Sequence, residues 1–263
     1  MAGRLLLRGM LAGVIAALIA FVFARLAGEP LVTSAIAIEQ RSAHSTLLQD
    51  DAGKLLPHAH QHHHEETASD NVVSRQTQSG AGLLTALVGF GAAIGGLFSL
   101  VFAVVYGRIW KADATTLSLY LSIGGFIALA LVPALKYPPN PPAVGSPETI
   151  GARTAWFFVA IALSVALLVV ALRFYSAWRF KLGNTKAALL SVSMYMAAAA
   201  VLFPAMPTID EVPTGFPATL LWNFRITAWG LQCLLWTSLG LAFSWLSHRA
   251  SMKQRRSGKD VLY

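Results

Sequence analysis

The sequence predicts an all-α integral membrane protein: a polytopic bundle of six transmembrane helices with both termini in the cytoplasm. Three observations carry this reading. Only 12% of the 263 residues are charged and 56% are hydrophobic, whereas soluble chains carry about 25% charged residues. The apolar residues fall in blocks of about 18 to 25, the length that crosses a hydrocarbon core of about 30 Å. The basic residues concentrate in every second connection between those blocks, the pattern that orients a chain in a bilayer.

The first block is Leu5–Ala27, preceded by Arg4 and Arg8. It looks like a secretion signal, but Arg25 stands where a small residue should precede a cleavage site, and the run is long for one; it reads as a retained span. Apolar spacing at Leu31, Ala35, Ile36 and Ile38 predicts that this helix runs on to about Gln40, with Pro30 as a kink. Residues 28–80 form the only long connection. From Gln49 to Ser79 it is polar, poor in aromatics and rich in histidine, a composition that predicts disorder or a metal-dependent fold.

The second span is Gly82–Tyr106. Its Gly91 and Gly95 form a small-xxx-small pair, repeated in the first span by Gly9 and Gly13; such spacing lets helix backbones approach closely. The third is Thr115–Leu135, followed by Lys136-Tyr137-Pro138-Pro139-Asn140-Pro141-Pro142, a proline run that forbids helix and favours a stiff extended strut. The fourth is Thr154–Tyr175. The fifth, Lys186–Phe203, is the shortest, carries Ser191 and Ser193, and is stopped by Pro204 and Pro207. The sixth is Phe224–Leu246. No block alternates apolar with polar residues, so strands are not expected. The chain reads as a single membrane domain.

With the N-terminus in the cytoplasm, the inner segments hold thirteen Lys and Arg residues and the much longer outer segments seven, while ten of the twelve acids lie outside. Five spans would send Arg249, Lys253, Arg255, Arg256 and Lys259 to the outer side, against the positive-inside rule. The orientation places the first long loop outside the cell membrane.

That loop carries the strongest chemical signal. His58, His60, His62, His63 and His64 fall within seven positions, followed by Glu65 and Glu66. Imidazole is the commonest ligand for borderline metals such as Co²⁺, Ni²⁺ and Zn²⁺. The spacing does not match the separated ligand pairs of a tetrahedral structural site; it suits a flexible collector with acidic neighbours, and a solvated linker is the plainer alternative. Inside the spans there are no histidines and almost no charges. The soft or neutral groups there are Ser191, Ser193, Met194 and Met196 in the fifth span, and Asn223, Thr227, Gln232, Cys233, Thr237 and Ser238 in the sixth. They read either as a path for a dehydrating cation, with Met194, Met196 and Cys233 as soft contacts, or as helix–helix hydrogen bonding. Arg225 is expected to pair with Asp210 or Glu211, or to snorkel to headgroups.

Several classes are excluded on the residues. One cysteine permits no internal disulfide and no cysteine-based zinc site. No histidine lies in a span to ligate haem, no Walker A sequence is present, and the glycine-rich run Gly89–Gly96 sits inside a span rather than after a strand. The basic residues follow topology, not a nucleic-acid footprint. Neither an enzyme nor a permanently bound cofactor is expected.

Together these residues resemble the CbtA family of probable cobalt transporter subunits. The resemblance rests on the first span running into Glu29-Pro30 and Ala35–Gln40, the histidine-bearing loop and the glycine-rich second span. Most specific is Gly124-Gly125-Phe126 through Pro133-Ala134-Leu135-Lys136-Tyr137-Pro138-Pro139-Asn140-Pro141, continued by Gly151-Ala152-Arg153-Thr154-Ala155-Trp156. It implies cobalt uptake linked to vitamin B12 synthesis, and a small single-span partner with a histidine-rich C-terminus. The family is described with five spans, which stays the alternative; the charge pattern here favours six. The expected function is a subunit of a Co²⁺ importer whose outer histidines collect the ion. The alternative is a membrane scaffold or metal sensor acting through a partner.

Overall fold

The computed structural model describes residues 2–52, 74–107 and 113–259, and every regular element among them is helical. Six helical stretches are long and apolar enough to cross a membrane: Gly3–Ser42, Arg75–Val105, Ala114–Lys136, Pro147–Leu182, Asn184–Ala205 and Ala218–Arg249. They coincide with the six blocks read from the sequence.

The first stretch is α1 (Ala2–Phe23), a π turn (Ala24–Gly28) and α2 (Glu29–Ala52). The π turn ends two residues before Pro30. A proline ring collides with the carbonyl four residues earlier and offers no N–H; a widened turn just upstream relieves both and puts Pro30 in the first turn of a new α-helix. The same device recurs in the third span, where α5 (Ala114–Gly125) passes through a π turn (Phe126–Leu131) into α6 (Val132–Lys136), with Pro133 at its start.

Two expectations are corrected here. The first helix does not end near Gln40 but continues to Ala52. Ala43, Leu47, Leu48, Gln49 and Ala52 are good helix formers, and no glycine or proline intervenes before Gly53. The segment Gln49–Ser79 is therefore not wholly irregular: Gln49–Ala52 is helical, and Ser74 caps α3 (Arg75–Thr77), which runs through a π turn (Gln78–Gly82) into α4 (Leu83–Val105). At its other end α4 stops at Gly107, whose φ of 72° suits glycine.

Asp113 opens α5 by accepting the Thr116 amide at 3.0 Å, and the same residue holds its carboxyl below the ordinary value. α7 (Ile150–Leu182) is longer than the predicted fourth span at both ends and is terminated by Gly183 at φ 79°. α8 (Asn184–Ala205) tolerates Pro204 in its last turn, and α9 (Ala218–Lys259) is the last described element.

The helices sort into two groups. α1, α4, α5 and α9 form a four-span bundle around Phe98, Phe102, Leu117, Trp236, Leu239 and Phe243. Phe243 meets Phe98 and Phe102 edge to face, with centroids 5.2 and 4.9 Å apart. The two glycine pairs interlock: a Cβ on Gly9 would collide with the Gly95 carbonyl oxygen, and one on Gly13 with that of Gly91. α1 and α4 therefore touch backbone to backbone, and run antiparallel. The second group is the α7–α8 hairpin, packed on itself and on the later part of the third span through Val132, Ala160, Tyr195, Ala199 and Phe203. The π turn of the third span touches both α7 and α9, and so joins the groups.

Candidate functional site

The alternating helices gather three connections at one end of the bundle: the stem of the long loop, the proline strut and the segment between α8 and α9. At the stem, Arg75 Nη2 donates to Glu29 Oε2 at 2.8 Å. This pair ties the base of α2 to the start of the second span, so the two legs of the loop leave the bundle side by side. Beneath it, a cavity of about 190 Å³ opens at the π turn, lined by Phe23, Gly28, Leu83, Phe224 and Thr227, with Glu29 at its edge. Its walls are mostly apolar.

The strut and the α8–α9 segment are laced together. Tyr137 Oη donates to the Pro207 carbonyl at 2.8 Å, and the Ser146 amide donates to Glu211 Oε2 at 2.8 Å. Arg153 Nε lies 3.4 Å from the same carboxylate oxygen, and Arg153 Nη2 donates to the Ser146 carbonyl at 3.2 Å. The Thr149 hydroxyl, the Ser146 amide and the Arg153 charge together hold the Glu211 carboxyl below its ordinary value. The Thr149 hydroxyl has one proton and two acceptors in reach, Glu211 and the Ser146 carbonyl at 3.0 Å. Gly145 makes room for the guanidinium: its φ is 116°, and a Cβ there would overlap Arg153.

Arg225 does not pair with Asp210 or Glu211. Its Nη2 donates to Asn140 Oδ1 at 2.9 Å, because Glu211 is taken by Arg153 and the proline strut brings Asn140 over the start of α9. Among the described residues no carboxylate lies within ion-pair distance of Arg225, and its Nε is buried without a hydrogen-bond partner.

His58, His60, His62, His63, His64, Glu65 and Glu66 lie outside the described residues. The soft contacts expected in the spans do not share one site. Met194 is half-buried against α7, Met196 is exposed on α8, and Cys233 is exposed on α9. Ser191 donates to the Ala187 carbonyl of its own helix at 2.7 Å, which satisfies its hydroxyl locally. Asn223 and Thr237 are exposed, and Thr227 lines the cavity. Among the described residues no three His, Cys, Asp or Glu side chains converge as a metal site.

Sequence reasoning missed the two ion pairs. Glu29–Arg75 and Glu211–Arg153 join residues 46 and 58 positions apart. Their only signal was that all four residues belong to outer segments of the predicted topology.

A family model described as probable cobalt transporter subunit (CbtA) covers residues 2–248. No curated protein and no solved structure matches the chain.

Proposed function

The chain belongs to the CbtA family of probable cobalt transporter subunits, and from that membership we propose that it is the multi-pass subunit of a Co²⁺ importer that collects the ion on its histidine-rich loop. The observation that supports this best is the helix running unbroken past the bundle to Ala52, six positions before His58, at the end where the other outer connections gather. α2 spans about 36 Å at 1.5 Å per residue, so it is a stalk, and the Glu29–Arg75 pair fixes its base.

In this reading both termini are cytoplasmic and the loop faces the medium. His58, His60, His62, His63 and His64 bind Co²⁺ as neutral imidazoles, with Glu65 and Glu66 raising the local cation concentration; Ni²⁺ and Zn²⁺ suit the same ligands. Capture weakens as pH falls through about 6.5, where free imidazole protonates. Inward movement of two positive charges gains about 4.6 kcal/mol per 100 mV of membrane potential. A subunit implies a partner. The family resemblance makes it a small single-span protein with a histidine-rich end, and links the imported metal to vitamin B12 synthesis. The chain's spans hold almost no acids, so a pathway for a bare dication requires groups from that partner.

The test is cobalt-limited growth and radioactive cobalt uptake in cells lacking other cobalt importers. Replacing His58, His60, His62, His63 and His64 with Ala should raise the external cobalt needed for half-maximal uptake; overlaying uptake curves would exclude the capture role. An imidazole-modifying reagent that cannot cross the bilayer should label the loop's histidines in intact cells. A second reading, a metal-binding scaffold or sensor, is favoured by the aromatic filling of the four-span bundle. Binding without flux in proteoliposomes containing both subunits would select it.

A further inference from the structure

We propose that the end of α7 and the start of α8 form a binding surface for anionic phospholipid headgroups. Between Glu148 and Asp210 the chain has no acid, yet four cations, Arg173, Arg179, Lys181 and Lys186, fall within fourteen residues. Among the described residues none of the four is in an ion pair. Arg179 Nε is buried with no hydrogen-bond partner.

Helix length puts these cations at the headgroups. α7 has 33 residues, about 50 Å at 1.5 Å per residue, against a hydrocarbon core of about 30 Å. Its first turn is held at the opposite end of the bundle by the Arg153–Glu211 pair, so the excess length emerges beyond Arg173. Aromatic rings are interleaved with the cations there. Phe174 stacks on Trp178 with centroids 5.3 Å apart, the Arg179 guanidinium lies 4.6 Å from the Phe180 ring centre, and Lys181 Nζ lies 5.5 Å from that of Trp178. Phe180 is 82% exposed and Trp178 40%. Exposed rings beside unpaired cations need a medium that is apolar on one side and anionic on the other. A lipid boundary supplies both; a free phosphate supplies only the charge, which commits the surface to lipid.

The experiment is native mass spectrometry of the full-length protein released from mixed detergent micelles containing equal phosphatidylglycerol and phosphatidylcholine. The expected result is preferential retention of phosphatidylglycerol that declines with salt. Each cation replaced in Arg173→Gln, Arg179→Gln and Lys181→Gln should lower the preference by about fivefold at low ionic strength. Arg173→Lys with Arg179→Lys should restore it, while Arg41→Gln, on the stalk, leaves it unchanged. Lys181→Gln alone, at an exposed position, serves if the triple variant does not fold. The proposal is overturned by equal retention of the two lipids, by a preference that Lys181→Gln and the triple variant keep, by insensitivity to salt, or by displacement of the lipid with excess inorganic phosphate.

Discussion

Within the four-span bundle α1 and α4 meet backbone to backbone; in the α7–α8 hairpin the helices meet through side chains. About a third or more of the central residues of each bundle span are buried, against 17% for α7 and 28% for α8. The difference follows from what each interface offers. Lipid tails are as apolar as leucine, so membrane helices gain little from hydrophobicity and associate through close packing and hydrogen bonds. Gly9, Gly13, Gly91 and Gly95 supply the first, letting α1 and α4 touch along two turns. The hairpin has no such groove. Its anchor is the hydrogen bond between Ser164 Oγ and Tyr195 Oη, 2.8 Å and buried.

The largest effect should come from filling the groove. Gly91→Leu places a side chain where the Gly13 carbonyl and the Ala17 methyl already stand. Overpacking costs about 1–3 kcal/mol when side chains can move; here the obstacle is backbone, so the cost should reach or pass the upper end. Gly89→Leu, two residues away with open space around it, is the internal control. Detergent denaturation should show Gly91→Leu losing the folded state and Gly89→Leu near the parent. Equal behaviour of the two would mean that α1 and α4 are not in contact through these glycines.

A smaller loss is expected in the hairpin. Ser164→Ala removes one interhelical hydrogen bond, worth about 0.6 kcal/mol and at most about 1.7 kcal/mol in a membrane interior. Tyr195→Phe should cost a similar amount, and the double variant little more than either alone, since both remove the same bond. Additive losses would show that the two hydroxyls have separate partners.

The two regions also differ in how plainly the sequence announced them. The six spans were legible because length, hydropathy and basic connections are local properties, and lipid leaves few alternatives to a helix. The glycine pairs were legible as a motif, though only the structure shows that the pair in α1 meets the pair in α4. The extent of α2 was missed because the sequence after Gln40 has no apolar periodicity to mark it. The Ser164–Tyr195 pair was invisible: a lone serine and a lone tyrosine in apolar runs carry no sign of each other. Arg225 was offered an acid close in sequence or the headgroups, whereas the folded strut delivered Asn140. The histidine cluster stood out by composition alone, and the capture proposed for it rests on the family.

The connections that lace the hairpin to the bundle give the finest test of the comparison. Glu211 belongs to the segment entering α9, Ser146 and Thr149 to the approach to α7 and Arg153 to its first turn, so this one carboxylate stitches the two regions at the loop end. Its carboxyl is held below the ordinary value of 4.5 by the Thr149 hydroxyl first, then by the Ser146 amide and the Arg153 charge. For a carboxyl whose folded pKa is depressed, the stabilisation is complete above the unfolded value and is lost as pH falls through the folded one. Protease protection of the segment between α8 and α9 should therefore stay flat from about pH 7 to about pH 5 and fall only in more acidic solution. Glu211→Gln keeps the shape but loses the charge that faces Arg153. It should be cleaved faster at neutral pH, with most of the acid dependence gone. The bundle itself, held by glycine contacts and apolar side-chain packing that carry no charge, should show the same unfolding midpoint in both proteins. A matching fall in the bundle's stability would mean that the stitch at the loop end, rather than the backbone groove, sets how firmly the spans are assembled.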